Sequence, residues 1–194
     1  MKTKGNIIVL SAPSGAGKTA IYTEVLKRDK NAVLSISYTT RKPRKSEKEG
    51  VNYFFTDETA FNKMLKRNKF IEWALVHGNL YATPKRFIEK AINSGKNVIL
   101  EIDVKGARKI KAYYPKACLI FITVPNLNIL KKRLLLRNQD SREAITVRMQ
   151  NAKEEMKSMN DYDYIVINEN LKEAVKAVES IIESLKHKNY ERKK

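Results

Sequence analysis

An α/β fold built on a central parallel sheet is what this sequence predicts, and three observations predict it. Apolar runs recur at Asn6–Ser11, Ala32–Ser37, Asn97–Asp103, Ala117–Val124 and Tyr164–Asn168. Several are near-continuous, the pattern of strands covered on both faces. Amphipathic helical stretches fall between them, and alternation of that kind generates parallel strands. Finally, 194 residues at 42% hydrophobic content supply one core of moderate size rather than several domains.

Taken in order, the first run feeds a helix over 17–28. A second helix is marked by Thr83-Pro84, with Thr83 as its cap, Pro84 at its first position and Gly95 just past its end. Two charged, arginine-rich helical stretches follow, at 126–137 and 141 to about 159. The last helix shows Leu171, Ala174, Val175, Val178, Ile181, Ile182 and Leu185, spaced three and four apart, the stripe of a core-facing helix. Between Tyr38 and Thr83 the alternation breaks. Short strand-like pieces, Tyr53–Thr56 and Phe70–Val76, flank a helical stretch at Asp57–Arg67, and Gly78-Asn79 marks a turn. This segment and 126–157 read as insertions standing on the core sheet, and such insertions often move. The expected division is a core of 1–37, 84–125 and 158–194, a subdomain of 38–83 and a lid of 126–157.

Bulk properties bound the function. Lys and Arg total 39 against 21 Asp and Glu, a formal charge of +18 that attracts polyanions. Neither a basic stripe with interleaved aromatics nor a known reading module accompanies it, so no specific nucleic-acid partner is expected. The basic stretch from His187 to Lys194 reads as a solvated, frayed end. The lone cysteine, Cys118, lies inside an apolar run, reads as a buried apolar residue and implies a reducing compartment. The apolar run near the N-terminus is four residues, too short for a signal peptide, and no run is long enough for a membrane helix. A soluble, cytoplasmic protein without a membrane partner is the expectation.

The stretch SAPSGAGKT, Ser11 to Thr19, follows the first apolar run and opens the first helix. Its second half, Gly17-Lys18-Thr19, completes the phosphate-loop pattern G-x-x-x-x-G-K-[ST]. Small residues let successive backbone N–H groups turn onto phosphate oxygens, and the helix start adds its positive end. The expected cradle is Ala12, Pro13, Ser14, Gly15, Ala16, Gly17, Lys18, Thr19 and Ala20. Lys18 reaches the outer phosphates, and the Thr19 hydroxyl holds Mg²⁺. Ala12 replaces the pattern's first glycine, which costs little where the backbone angles are ordinary. The loop alone does not separate a switch, a motor and a kinase.

Strand Asn97–Asp103 ends in acid, and alternation puts Glu101 and Asp103 on one side, at the end that faces a ligand crevice. They are candidates for the neighbourhood of a metal or an acceptor, with capping of the next helix as the plainer alternative. Arg41 and Arg44 flank Pro43 in a stiffened loop, an arrangement that suits a second phosphate through forked hydrogen bonds. Tyr53 and Tyr81 offer hydroxyls to it.

Together, SAPSGAGKT, SYTTRKPR, GVNYFF, FIEWA, GNLYATP, EIDVKG, LKKRLLLR and IVINEN resemble the guanylate kinases, in that family's order and over nearly the whole chain. The resemblance implies a three-layer P-loop NTPase fold with a central parallel sheet, a small GMP-binding insertion and a helical lid. It implies transfer of the γ-phosphate of ATP to GMP, with Mg²⁺ as cofactor and dGMP as a further acceptor. Glu72 would take the guanine N1–H and N2–H₂, with Ser37 and Thr83 also touching the base. Arg41, Arg44, Tyr53 and Tyr81 would hold the GMP phosphate. Asp103 would lie by base and ribose, and Glu101 close to the reacting phosphates. Arg133, Arg137 and Arg148 would close over the ATP phosphates, completing with Lys18 and Arg41 the charge around the moving group. Asn168 would lie beside the adenine. A carboxylate accepts both donors on the guanine edge, which adenine lacks. Phosphoryl transfer runs on positive charge and Mg²⁺ rather than on proton shuttles, so no general base is assigned.

Two departures stand out: Ala12, and Asn138 after Arg137 at the lid tip, where a glycine is often found. The alternatives are a non-catalytic guanylate-kinase-like binding module, opposed by the intact Gly17-Lys18-Thr19 and lid arginines, and a kinase for another monophosphate, opposed by Glu72 and Ser37. Oligomeric state is left open, with assembly of identical copies compatible.

Overall fold

The computed structural model describes residues 4–76, 78–136 and 142–191. In chain order its elements are β1 (Ile7–Ser11), α1 (Lys18–Arg28), β2 (Ala32–Ser35), β3 (Tyr38–Thr39), β4 (Phe54–Phe55), α2 (Glu58–Lys66), β5 (Phe70–Val76), β6 (Asn79–Pro84), α3 (Lys85–Asn93), β7 (Asn97–Glu101), α4 (Val104–Tyr113), β8 (Cys118–Thr123), α5 (Leu127–Leu136), α6 (Arg142–Met156), β9 (Tyr164–Ile167) and α7 (Leu171–Glu191).

The five predicted core strands form one parallel sheet in the order β2-β7-β1-β8-β9. Its two faces bury alternate residues of the same strands, as the pleat requires. Ile8, Leu10, Ile99, Ile120 and Ile122 pack with Ile21 and Val25 of α1 and Val175, Val178 and Ile182 of α7. Val9, Val98, Leu100 and Leu119 pack with Ile88 of α3 and Ile110 of α4. The result is three layers, with β1 at the centre and the carboxyl ends of β1 and β7 opening side by side.

Residues 38–84 form a second sheet in the order β4-β3-β6-β5. The hairpin of β5 and β6 turns at Gly78, whose φ of 75° favours glycine. Helix α2 is capped by Asp57, which accepts from the Ala60 N–H at 2.7 Å. Its Phe61 closes a separate small core with Phe70 and Ala82.

The structure alters several boundaries. Thr83 does not cap α3, because β6 runs through it. The N-cap is Pro84, with ψ at 123°, so the proline stands one place before the helix rather than at its first position. Gly95 does end α3, at φ 84°: its N–H donates to Ile92, and that of Lys96 to Ala91, a Schellman closure. Helix α4 went unpredicted; Asp103 caps it through the Gly106 N–H at 2.8 Å. Helix α6 ends at Met156 rather than near 159, where a short 3₁₀ turn follows. Helix α7 runs on to Glu191, past the last apolar position at Leu185 and into the basic stretch.

Phe61 is fully buried. Phe61→Ala is therefore expected to cost about 3–5 kcal/mol in urea denaturation.

Candidate active site

Glycine is required twice in the phosphate loop. Gly15 and Gly17 hold φ of 90° and 92°, whereas Ala12 is absent from the positive-φ positions, so the missing first glycine changes nothing in the backbone. Gly17 also has a neighbour problem: a Cβ there would lie 2.4 Å from the Asn168 Nδ2. That amide donates to the Ala16 carbonyl at 2.7 Å, and Arg133 donates to the Asn168 carbonyl at 2.9 Å. The loop is thus pinned from behind by the end of β9 and by α5. Asn168 is buried in this pin, and Arg133 lies against the back of the loop.

In front of the loop lies a cavity of about 410 Å³. Its wall includes Ala12, Pro13, Ser14, Gly15, Gly17, Lys18, Thr19 and Ala20 of the loop and its helix, together with Ser37, Tyr53, Glu72 and Tyr81. Glu101, Asp103 and, from α6, Glu155 also line it. The structure therefore brings the expected phosphate cradle and most of the expected acceptor residues to one space. Lys18 Nζ lies 3.7 Å from Glu101 Oε1. Asp103 caps α4, the plainer alternative, and also lines the cavity.

Glu72 is the telling acceptor residue. It is 6% exposed, and Oε1 accepts from the Thr83 hydroxyl at 2.6 Å. Burial raises its pKa, with the Thr83 bond opposing and Asp103 adding to the rise. Thr83 thereby serves the site by orienting Glu72. A Cβ at Gly106 would sit 3.3 Å from Glu72 Oε2 and 3.2 Å from Asp103 Oδ1, so this glycine keeps room for two converging carboxylates. Only its place inside EIDVKG marked it.

Arg41 stands one layer back from the cavity. Its Nε donates to the Tyr81 hydroxyl at 3.2 Å, and its guanidinium lies 5.4 Å from the Tyr53 ring centre. One amino group donates to both oxygens of Glu47, at 2.8 and 2.9 Å. Glu47 also accepts from the Arg44 N–H at 2.8 Å. The Arg41 hydrogen bond holds the Glu47 carboxyl below the usual range. Glu47 closes the basic loop on itself, and the arginines either side of Pro43 gave no sign of it. The Arg44 side chain is exposed. Burial, reinforced by Glu101, pushes the Tyr53 phenol up to about 12.

Two more residues escaped the sequence reading. Tyr22, one turn after Lys18 on α1, has its phenol raised by burial and then by Glu101. Glu155 has its carboxyl raised to about 7 by burial and by Asp103, against the pull of Lys18. Arg148 lies on α6, half-buried, two turns before Glu155. Arg137 and Asn138 lie outside the described residues.

A strand–loop–helix phosphate cradle at the centre of a parallel sheet, facing an acceptor insertion across one cleft, defines the P-loop nucleotide kinases as a class. The guanylate kinase family model matches residues 4–185. Guanylate kinase from Thermotoga maritima is 47% identical over 181 residues, 93% of this chain and 87% of that protein. The Rickettsia felis guanylate kinase is 43% identical over 190 residues, 98% and 99% of the two chains. A crystal structure of guanylate kinase from Anaplasma phagocytophilum superposes with a TM-score of 0.80 at 31% identity, covering 95% of this chain and 87% of that one. The chain belongs to the guanylate kinase family.

Because the folded state raises the Glu155 pKa, its favourable contribution is complete below about 4.5 and is lost as pH rises through about 7. Glu155→Gln removes the cost of ionising that carboxyl. The variant should exceed wild type by about 1–2 kcal/mol at pH 8, allowing for solvent screening, and match it near pH 4 in denaturant titrations.

Proposed function

We propose that the chain transfers the γ-phosphate of ATP to GMP, giving ADP and GDP, with both nucleotides in the one cleft. The observation that carries this reading is Glu72, a buried carboxylate across the cavity from the phosphate loop with one oxygen held by Thr83. A buried carboxylate needs donors, and the guanine edge offers two. An adenine would leave it unpaired, a penalty that a polar site turns into discrimination of roughly 10⁴–10⁵.

On the donor side, the backbone from Ala12 to Ala20 and Lys18 take the ATP phosphates. Arg133, Arg137 and Arg148 add positive charge as the 126–157 segment closes, and Asn168 steadies the loop beneath the adenine side. On the acceptor side, Arg41 and Arg44 take the GMP phosphate, with Tyr53 and Tyr81 between them and the cavity. Ser37 supports the base, and Asp103 the base and ribose. Arg41 is pre-set by Glu47, so the incoming phosphate meets a guanidinium of fixed direction.

Mg²⁺ fits the donor set. Thr19 and Glu101 present hard oxygens to the same cavity, and among the described residues no group of three or more His, Cys, Asp or Glu could hold a metal ion. Magnesium is commonly held in that way, by one or two protein oxygens together with phosphates and water. When bound it neutralises charge on the phosphates. Thr19 and Glu101 would hold it, and Lys18 would orient the leaving oxygens. No described helix is long and apolar enough to cross a membrane, and Cys118 is buried.

ADP release from ATP is expected with GMP and to fall to background with AMP, CMP and UMP; transfer to another acceptor in place of GMP overturns the reading. Lys18→Ala should lower kcat by at least about 10² with the fold intact. Glu72→Gln should raise KM for GMP by about tenfold or more and leave KM for ATP within twofold, since one carboxylate–donor pair is worth about 1.5–3 kcal/mol. Unchanged GMP kinetics would reject Glu72 as the base reader.

A further inference from the structure

We propose that Glu155 is a specificity-determining residue of the donor site: from helix α6 it makes the cleft favour a nucleoside triphosphate that carries its divalent cation over the same nucleotide without metal. The inference rests on the donor-site reading above and adds a residue to it.

The argument begins with a charge balance. Among the described residues lining the cavity, Lys18 is the one cation, and Glu72, Glu101, Asp103 and Glu155 are carboxylates. Lys18 lies 3.7 Å from Glu101, so part of its charge is already answered. Glu155 is half-buried and interacts electrostatically with Lys18 and Asp103, which places its carboxylate within the field of whatever Lys18 binds. A metal-free triphosphate on Lys18 brings dense negative charge beside Glu155, in a space where water screens poorly. A divalent cation on the phosphates reverses the sign of that encounter, and a carboxylate then attracts it directly or through water. Among the described residues no group of three or more His, Cys, Asp or Glu could hold the cation, so Glu155 meets it as part of the nucleotide complex.

Helix geometry supports the assignment. Arg148 and Glu155 are seven residues apart, two turns of α6, and therefore share a face with the fully buried Ala152 between them. The same face offers a cation that any polyphosphate attracts and an anion that a bare polyphosphate repels. Specificity built from an attractive and a repulsive element on one surface is a difference of affinities. Gln at this position preserves volume and hydrogen bonding, and a half-buried site accommodates it.

The test is calorimetric titration of ATP without acceptor at pH 8, where the Glu155 carboxyl is ionised, once with MgCl₂ and once with EDTA, into wild type, Glu155→Gln, Glu155→Ala and Glu155→Asp. Both neutral variants should bind metal-free ATP about tenfold more tightly, the size of one charge pair in such a cleft, and bind the magnesium complex within twofold of wild type. Glu155→Asp should keep the wild-type preference. The proposal is overturned if the neutral variants shift both affinities by the same factor, as a merely structural role would, or shift neither. Wild type that binds ATP in neither form would instead overturn the donor-site reading itself.

Discussion

The left-handed backbone at Gly15 and Gly17 is the constraint on which the rest of this molecule depends. Residues that turn the chain there free the loop's N–H groups for an anion, and the positive end of α1 then points the same way. Holding that conformation without a ligand needs support from behind. It comes from chain segments distant in sequence: the Asn168 amide on the Ala16 carbonyl, Arg133 on the Asn168 carbonyl, and Leu130 and Leu134 within 3.4 Å of where a Gly15 side chain would begin. The central position of β1 follows from this. Only a strand with β7 on one side and β8 on the other has the phosphate loop flanked by the acids of β7 and by the end of β9 beyond β8.

Carboxylates dominate the cavity that results, although the ligands are anions. Three of the four have a distinct partner. Glu72 takes Thr83, Asp103 takes the Gly106 N–H, and Glu101 faces Lys18. Behind this space stands a different chemistry, the Arg41 guanidinium held by Glu47 and in contact with Tyr81 and the Tyr53 ring. A site built this way discriminates by what is left unpaired. A ligand that leaves one of these carboxylates without a partner is penalised, because desolvated carboxylates are costly to leave in that state.

The core sheet was readable from sequence because strands buried on both faces have to be apolar throughout, and IIVL, NVILE and CLIFIT satisfy that with little ambiguity. The phosphate loop was readable because its backbone demands specific small residues. What escaped was whatever depends on tertiary approach. Helix α4 is only ten residues long and has a valine and a glycine in its first turn, which hides its start; the Asp103 cap and packing on the sheet fix it. Thr83-Pro84 looks like a helix start, but pairing with Glu72 across the hairpin keeps Thr83 in β6. Glu47, Tyr22 and Glu155 lie in no motif, and Gly106 only inside EIDVKG. Each matters through a side chain 6 to 137 residues away, from Arg41 for Glu47 to Lys18 for Glu155, and one-dimensional spacing is silent about those.

Net charge and site charge have opposite signs here, and the two act over different distances. The chain carries +18, yet the cavity lining holds more acid than base among the described residues. Lysines spread over the surface act as a long-range field, attenuated over about 8 Å at physiological salt, so they govern how often a nucleotide arrives rather than how it is held. Grip and choice belong to a few groups inside the screened cleft, where each interaction is stronger per charge. Composition therefore describes the approach of a polyanion and says nothing about which one stays. Inside the cleft the directions of two carboxylates are fixed locally, by the Thr83 hydroxyl on Glu72 and by the Gly106 N–H on Asp103.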